Sequence, residues 1–321
     1  MMNYSKLSLP NLKRNIGQIP LEVGPIAYGF WRFAGTTVKE ARAKVDLALE
    51  LGMNLLDHAD IYGVDGGGSF GDAELLFGEV MKEAPHLRDK MLLATKGGIV
   101  LGRPYDSSTA YLKEAVDRSL KRLNVEQIDL YQIHRPDFLT HPKALAETLE
   151  ELKASGKVKE VGVSNFTVSQ TRALQAHLSF PLATTQPEWS CWAHDALRDG
   201  TLDYCMETGL TPLGWSPLAG GRLTWSIGNI EQAVVKNELS GEEGRRLTQT
   251  VSVLDELASQ HQVQRSTIAL AWTMAHPALV VPIIGTQNLD RMKQSQETLT
   301  VQLSREDWNR VLVAAQGYPL P

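Results

Sequence analysis

Cysteine is nearly absent. Cys191 and Cys205 are the two in 321 residues, with no C-x-x-C and no Cys/His cluster, which argues against a disulfide framework or a structural zinc site. Excess positive charge is missing too: Lys and Arg total 32 against 37 Asp and Glu, a net charge of −5. Such a chain has no basic field to neutralise a phosphate backbone, so nucleic acid is not an expected partner. The longest aliphatic stretch lies around ALVVPIIG (278–285), far short of the roughly 20 residues that span a bilayer, so no membrane partner is expected. The opening MMNYSKLSLPNLKRN puts no apolar run behind its charges, so no secretory signal is read and the expected location is cytoplasmic. Neither a low-complexity tract nor a Pro/Ser linker divides the chain, and residues 1–321 are read as one domain. With 43% hydrophobic and 21% charged residues, the balance is that of a folded globular protein rather than a disordered one.

What is present is a repeating cycle: a short apolar run, a turn, then an amphipathic stretch. The apolar runs are GPIAYGFW (24–31), NLLDHA (54–59), KMLLATKG (90–97), IDLYQIHR (128–135), KEVGVSNF (159–166), LATTQPEW (182–189), LTPLGWSP (210–217) and LVVPIIGT (279–286). Continuous apolar runs bounded by turns fit strands of a parallel sheet buried on both faces. Between them, Val38, Ala41, Val45 and Ala48 recur at helical spacing within 37–52, as do Leu112, Val116, Ser119, Leu120 and Leu123 within 109–123. Pro142 opens the fourth helix and Gly156 follows its last turn, while Thr167 and Gln170 form a capping box for the fifth. Eight β-α cycles in one domain predict a (β/α)8 barrel, the TIM-barrel class. The rival, a doubly wound sheet, usually carries G-x-G-x-x-G after its first strand, where this chain has GFWRFAGTT. Residues 1–23 are expected to form a hairpin closing the barrel bottom. Helical stretches at 246–262 and 266–276 place one extra helix after strand seven, and another, 304–315, follows the eighth unit.

Barrel enzymes carry their chemistry where strands end at the top of the barrel. Asp57 ends strand two, with Tyr62 five residues on; Lys96 ends strand three and His134 ends strand four. An apolar strand would be more stable without such charges, because burying an unpaired ion is costly. A structural Asp57–Lys96 ion pair is one explanation. The chemical one is that an ammonium favours the phenolate of Tyr62 and lowers its pKa, a carboxylate holds the ammonium, and a neutral imidazole orients a carbonyl oxygen. Such a group can donate a proton to a developing alkoxide. His58 and Asp60 make an H-x-D, but no third metal ligand is apparent and no metal is expected. GVDGGGSFG (63–71) lacks the Lys-Ser/Thr of a P-loop and reads as a flexible loop beside the pocket. Trp189 and Trp192 are candidates for the pocket edge, and both cysteines are expected to be inert.

HADIYG, TKGG, IHRPD, GKVKEVGVSNFT, WSPLAGGRL and PIIGTQNLDR together resemble the aldo-keto reductase superfamily over nearly the whole chain, nearest to bacterial oxidoreductases carrying HADIYG and IHRPD. The resemblance implies a catalytic tetrad of Asp57, Tyr62, Lys96 and His134, with Tyr62 as general acid, and NADP(H) as cofactor. It implies nicotinamide carboxamide contacts from Ser164, Asn165 and Gln186, and places Trp215 where the family usually stacks a tyrosine on the ring. Gly29 joins the implied cofactor site, and Ser216, Leu218, Gly220 and Arg222 match the segment along the pyrophosphate. Thr286 and Arg291 match the pair that holds the 2′-phosphate, assisted by the N–H groups of a helix N-terminus. Gln294 and Ser295 stand where many members place Glu and Asn against the adenine. For a small-molecule carbonyl substrate, Trp31 matches a substrate-facing tryptophan, and Arg135 stands where some members carry Trp. A guanidinium there either attracts an anionic substrate group or pairs with Asp137 or a neighbouring loop.

Three functions follow from these residues. The first is NADPH-dependent carbonyl reduction. The second is a nicotinamide-binding sensor with vestigial turnover, like the potassium-channel β subunits of the superfamily. The third uses Lys96 as a Schiff-base nucleophile, which needs a lysine without a carboxylate partner.

Overall fold

A computed structural model describes residues 13–102 and 104–320. Eight parallel strands close into a barrel in the order β1 to β8. They are β1 (Ala27–Gly29), β2 (Leu55–Asp57), β3 (Leu92–Gly97), β4 (Ile128–Ile133), β5 (Val158–Ser164), β6 (Thr184–Gln186), β7 (Thr211–Gly214) and β8 (Val281–Ile284). Each lies within or one residue outside its apolar run. The helices between them are α1 (Val38–Glu50), α2 (Asp72–Glu83), α3 (Thr109–Leu123), α4 (Pro142–Ala154), α5 (Val168–Gln175) and α6 (Thr201–Thr208). Local chemistry sets their ends. Thr37 with Glu40 and Thr167 with Gln170 form capping boxes, the Ser108 hydroxyl accepts from Tyr111 N, and Pro142 opens α4.

Between β7 and β8 the chain makes three helices, α7 (Ile227–Val235), α8 (Gly241–His261) and α9 (Arg265–Met274), so two are extra rather than one. The expected start at 246 was late because Ser240 and Glu243 form another capping box that starts the helix at Gly241, five residues upstream. Only Ile230 and Ala233 of α7 are buried, too thin a stripe to stand out as a helical period. The short α10 (Leu289–Gln294) follows β8, and α11 (Arg305–Gln316) closes the chain. Trp272 of α9 and Trp308 of α11 stack at 4.5 Å, each indole N–H donating to the other's carbonyl at 2.9 and 3.0 Å. Trp189 is fully buried against Trp272 at 5.1 Å and donates to Thr273 O. It is therefore core, not pocket edge; Trp192 lies beneath the Arg246 guanidinium at 4.9 Å, away from the cavity as well.

Two cores result. The larger joins outer strand faces to helices, and the smaller fills the barrel. Inside the barrel, Leu55, Leu92, Leu130, Leu213 and Val281 pack against Ile16, Ile19 and Val23 of the N-terminal segment. That segment doubles back through an antiparallel bridge of Arg14 with Val23, which fits the hairpin expected to close the bottom; residues 1–12 of that expectation lie outside the described residues. The two-residue period of a strand then dictates what comes higher. On the inward face Leu92 and Ala94 are followed by Lys96, and Leu130 by Gln132 and His134. The register aligns Gly29 with Asp57, Lys96 with Gln132, and Ser164 with Gln186. Apolar residues thus seal one end of the barrel, and polar ones gather at the other.

Candidate active site

At the polar end, Lys96 is fully buried, and its ammonium donates to Asp57 Oδ2 at 2.6 Å and to the His58 carbonyl at 2.8 Å. The second carboxylate oxygen accepts from Gln186 Nε2 at 3.0 Å and Gln132 Nε2 at 3.3 Å, and Thr184 Oγ1 steadies Gln132 at 3.2 Å. Asp57 therefore has three donors, which is what a buried carboxylate requires. Tyr62 follows on the turn after β2, pinned where its carbonyl accepts from Ala73 N at 3.1 Å. The Lys96 ammonium lies 4.9 Å from the Tyr62 ring centre, and the His134 ring meets Tyr62 edge-on at 5.9 Å. Asp57, Lys96 and His134 from three strand ends and Tyr62 from the turn after β2 are one cluster.

The electrostatics differ from the expectation in one respect. Burial raises the Tyr62 pKa above its ordinary value, and the lowering by Lys96 only limits that rise. Burial likewise opposes the charge of Lys96, but Asp57 and Tyr62 together overcome it, and the ammonium is held more firmly than in water. His134 is pushed well below its usual range by burial, then by Lys96 and Arg135, so its imidazole is neutral. A lysine held charged by a carboxylate is the opposite of what Schiff-base chemistry needs, which removes the support for an aldolase.

Asp57, Tyr62 and His134 open onto a cavity of about 1090 Å³. Ser164, Asn165, Gln186, Trp215, Ser216, Leu218 and Gly220 line it, as do Gly29, Thr286, Arg291, Gln294, Ser295, Trp31 and Arg135. Of the residues proposed from sequence, Lys96 lies behind the wall. Arg222 is not on the wall either; its charge acts on Glu188 and Glu243. The remaining tetrad, cofactor and substrate candidates share one cavity, whereas Trp189 and Trp192 stand outside it.

One wall is a continuous relay. Trp215 Nε1 donates to Asn165 Oδ1 at 3.0 Å, Asn165 Nδ2 to the His134 carbonyl at 3.2 Å and to Ser164 Oγ at 2.8 Å, and Ser164 Oγ to the Gln186 carbonyl at 3.0 Å. Asn165, Ser216 and Ala219 hold φ of 59°, 51° and 52°, a left-handed backbone that costs non-glycine residues energy and persists where surroundings enforce it. Gly29 fits by close approach: a Cβ there would stand 2.7 Å from Ile283 Cγ2. Arg135 lies 5.8 Å from the Trp215 ring, while Asp137 accepts from Ser107 N, Leu139 N and Thr140 Oγ1. The pairing of Arg135 with Asp137 is thus replaced by an indole contact. Along β8 and α10, Arg291 has no ion-pair partner among the described residues. Asn288 Oδ1 caps Arg291 N at 3.0 Å, so one N–H of that helix end is already engaged.

Several lining or supporting residues escaped sequence reasoning. Gln132 had a signal: it is polar, inward, and two residues before His134 on β4. Arg265 lines the cavity at the start of α9, held by Asp255 at 2.6 and 2.7 Å and the Trp225 carbonyl at 2.7 Å, and no motif marked it. His58 and Asp60 diverge. His58 stacks on Phe30 at 3.7 Å, whereas Asp60 faces Tyr111 at 3.4 Å, with burial raising its carboxyl to about 8. Among the described residues no group of three His, Cys, Asp or Glu could hold a metal ion, and no helix is long and apolar enough to cross a membrane.

A closed eight-stranded parallel barrel with a Tyr-Lys-Asp-His cluster beside one cavity defines a protein of the (β/α)8 class. The chain belongs to the Aldo/keto reductase family, whose model matches residues 25–314. It is 48% identical over 319 residues to a 6-dehydroglucose reductase of Novosphingobium aromaticivorans, covering 99% of this chain and 100% of that one. It is 36% identical to a 6-dehydroglucose reductase of Agrobacterium fabrum, covering 92% and 96%, and 34% identical to the uncharacterized oxidoreductase YcsN of Bacillus subtilis, covering 94% and 97%. The crystal structure of a thermostable aldo-keto reductase, Tm1743, in complex with the inhibitor epalrestat superposes with a TM-score of 0.76 at 24% identity, covering 94% of this chain and 99% of that one, a likeness of fold.

Proposed function

We propose that this protein is an NADPH-dependent reductase of aldehydes, with Tyr62 as the proton donor and a hydroxylated sugar aldehyde of the 6-dehydroglucose kind as substrate. The carrying observation is that Tyr62 and neutral His134 meet at one cavity, with the Lys96 ammonium behind its wall, and that the wall also presents Thr286 and Arg291. The residues present fit the cofactor. The Ser164–Asn165–Gln186 relay offers amide and hydroxyl groups for a carboxamide, Trp215 a flat face, and Arg291 with Thr286 a donor pair for a phosphate. A bound NADPH would supply the hydride.

The chain's own residues handle the proton. Because burial keeps the Tyr62 pKa high, the phenol is protonated at neutral pH and loaded as an acid. As negative charge grows on the substrate oxygen, the Tyr62 proton moves to it, and the Lys96 ammonium steadies the phenolate left behind. Asp57 keeps that ammonium charged and in place. His134, being neutral, can hydrogen-bond the oxygen without adding a second cation that would depress the acid. The test is turnover of purified protein with NADPH on 6-dehydroglucose and simpler aldehydes; no turnover on any of them would reject the reading.

The NADPH preference is carried by Arg291. A hydrogen bond to a charged group contributes about 1.5–3 kcal/mol, so Arg291→Ala is expected to weaken NADPH by roughly 10–150-fold. NADH, which lacks the 2′-phosphate, should change little, and the gap should shrink at high salt as charge is screened. Titration of both nucleotides by tryptophan fluorescence checks this, and equal losses for the two would sink the assignment.

A further inference from the structure

The GVDGGGSFG segment, expected as a flexible loop beside the pocket, carries hydrogen bonds of its own. It leaves from Tyr62 and returns to it through Ala73 N, and inside it Gly67 N donates to Val64 O at 3.1 Å and Ser69 N to Asp72 Oδ2 at 2.6 Å. Gly63 and Gly67 take φ of 129° and 80°, and a Cβ on Gly63 would fall 2.5 Å from the Ser69 carbonyl. The shape is thus set by glycines that no other residue replaces without strain. What it presents is Asp65, three residues from the proposed acid. Asp65 lines the same cavity as Tyr62 and His134, and its Oδ2 accepts the indole N–H of Trp31. Trp31 also lines the cavity and is 42% exposed, with the Arg32 guanidinium 4.9 Å from its ring.

We propose that Asp65 is a specificity-determining residue that selects aldehydes bearing hydroxyl groups next to the reacting carbon. This rests on the reductase reading above and names the part of the site that chooses the substrate. A carboxylate accepts hydrogen bonds and donates none, so the groups it favours are hydroxyls. One of its oxygens is engaged by Trp31, which fixes its direction, and four acceptor positions on a carboxylate leave capacity for a diol. An apolar aldehyde would strip water from Asp65 and return nothing. A carboxylate-bearing aldehyde would be drawn by Arg32 and Arg135 but repelled by Asp65, so the trio of charges suits a neutral polyol. The indole edge of Trp31 supplies apolar surface for the C–H side of such a chain.

The test pairs glyceraldehyde with propanal, which has the same carbon chain and no hydroxyls, using NADPH and the intact protein. Wild type should favour glyceraldehyde in kcat/KM. D65A should lose about 10-fold or more on glyceraldehyde, mostly through KM, and little on propanal, with D65N between because an amide oxygen still accepts. Calorimetric titration of glucose, the alcohol product of 6-dehydroglucose reduction, into the NADPH-loaded protein reads the same contact without turnover and should also weaken in D65A. Equal losses on both aldehydes, or none, with glucose affinity unchanged would overturn the role of Asp65 and leave the reductase standing. A protein that reduces neither aldehyde yet binds glucose through Asp65 overturns the reductase and keeps the polyol site. Absence of both turnover and glucose binding overturns both.

Discussion

Tyr62→Phe is expected to slow aldehyde reduction by about 10²–10⁴-fold, the usual contribution of a positioned general acid. The substitution removes one oxygen and leaves the ring that Lys96 and His134 contact at 4.9 and 5.9 Å, so the cluster keeps its shape. It leaves untouched the Ser164–Asn165–Trp215 relay and Arg291, so nucleotide affinity should stay near wild type. The effect therefore belongs in kcat, because the lost interaction is made as the oxygen gains charge rather than in the bound ground state. His134 cannot substitute. Its imidazole is held well below its usual pKa, so at neutral pH it carries no spare proton to donate as an acid. Steady-state rates beside a fluorescence titration of NADPH check both halves; a phenylalanine variant with near wild-type kcat removes Tyr62 from the role.

The barrel was legible because its strands are buried on both faces and so appear as unbroken apolar runs, and because several helices begin at side-chain caps that can be read by eye. Helix α3 matches at both ends since Ser108 caps it and Leu112, Val116 and Leu123 repeat along one stripe. The four proposed acid-base residues were legible for the opposite reason: Asp57, Lys96 and His134 are polar where a strand should be apolar, and Tyr62 follows Asp57 by five residues. What stayed hidden has no such contrast. Arg265 opens a helix and Asp65 sits in a loop turn, both places where polar residues are ordinary, and only the folded structure shows them on the wall that Tyr62 shares. Trp189 misled in the same way, since an indole beside a strand end packs inward or faces the cavity with the same local sequence. The sign of the Tyr62 pKa shift also needed the structure. A neighbouring ammonium predicts a fall, but the depth of burial outweighs it, and depth is not written in the spacing.

Lys96→Met should damage both rate and stability, because the same ammonium serves both. Asp57 is 2% exposed and Lys96 fully buried, so deleting the cation leaves a carboxylate inside the barrel with only the Gln132 and Gln186 amides as donors. Breaking such a buried pair costs about 3–5 kcal/mol. The pH behaviour separates the two effects. Lys96 lowers the Tyr62 pKa, so its removal raises that pKa further, and the alkaline limb of whatever reduction remains should move to higher pH. For stability the sign follows from the raised pKa of Lys96: its contribution is complete below the ordinary lysine value and fades only as pH climbs through the folded one. Urea unfolding should therefore show a constant gap between wild type and variant through the neutral range, narrowing only in strongly alkaline solution. A variant as stable as wild type, with an unshifted rate profile, would show that Lys96 neither holds Asp57 nor tunes the acid.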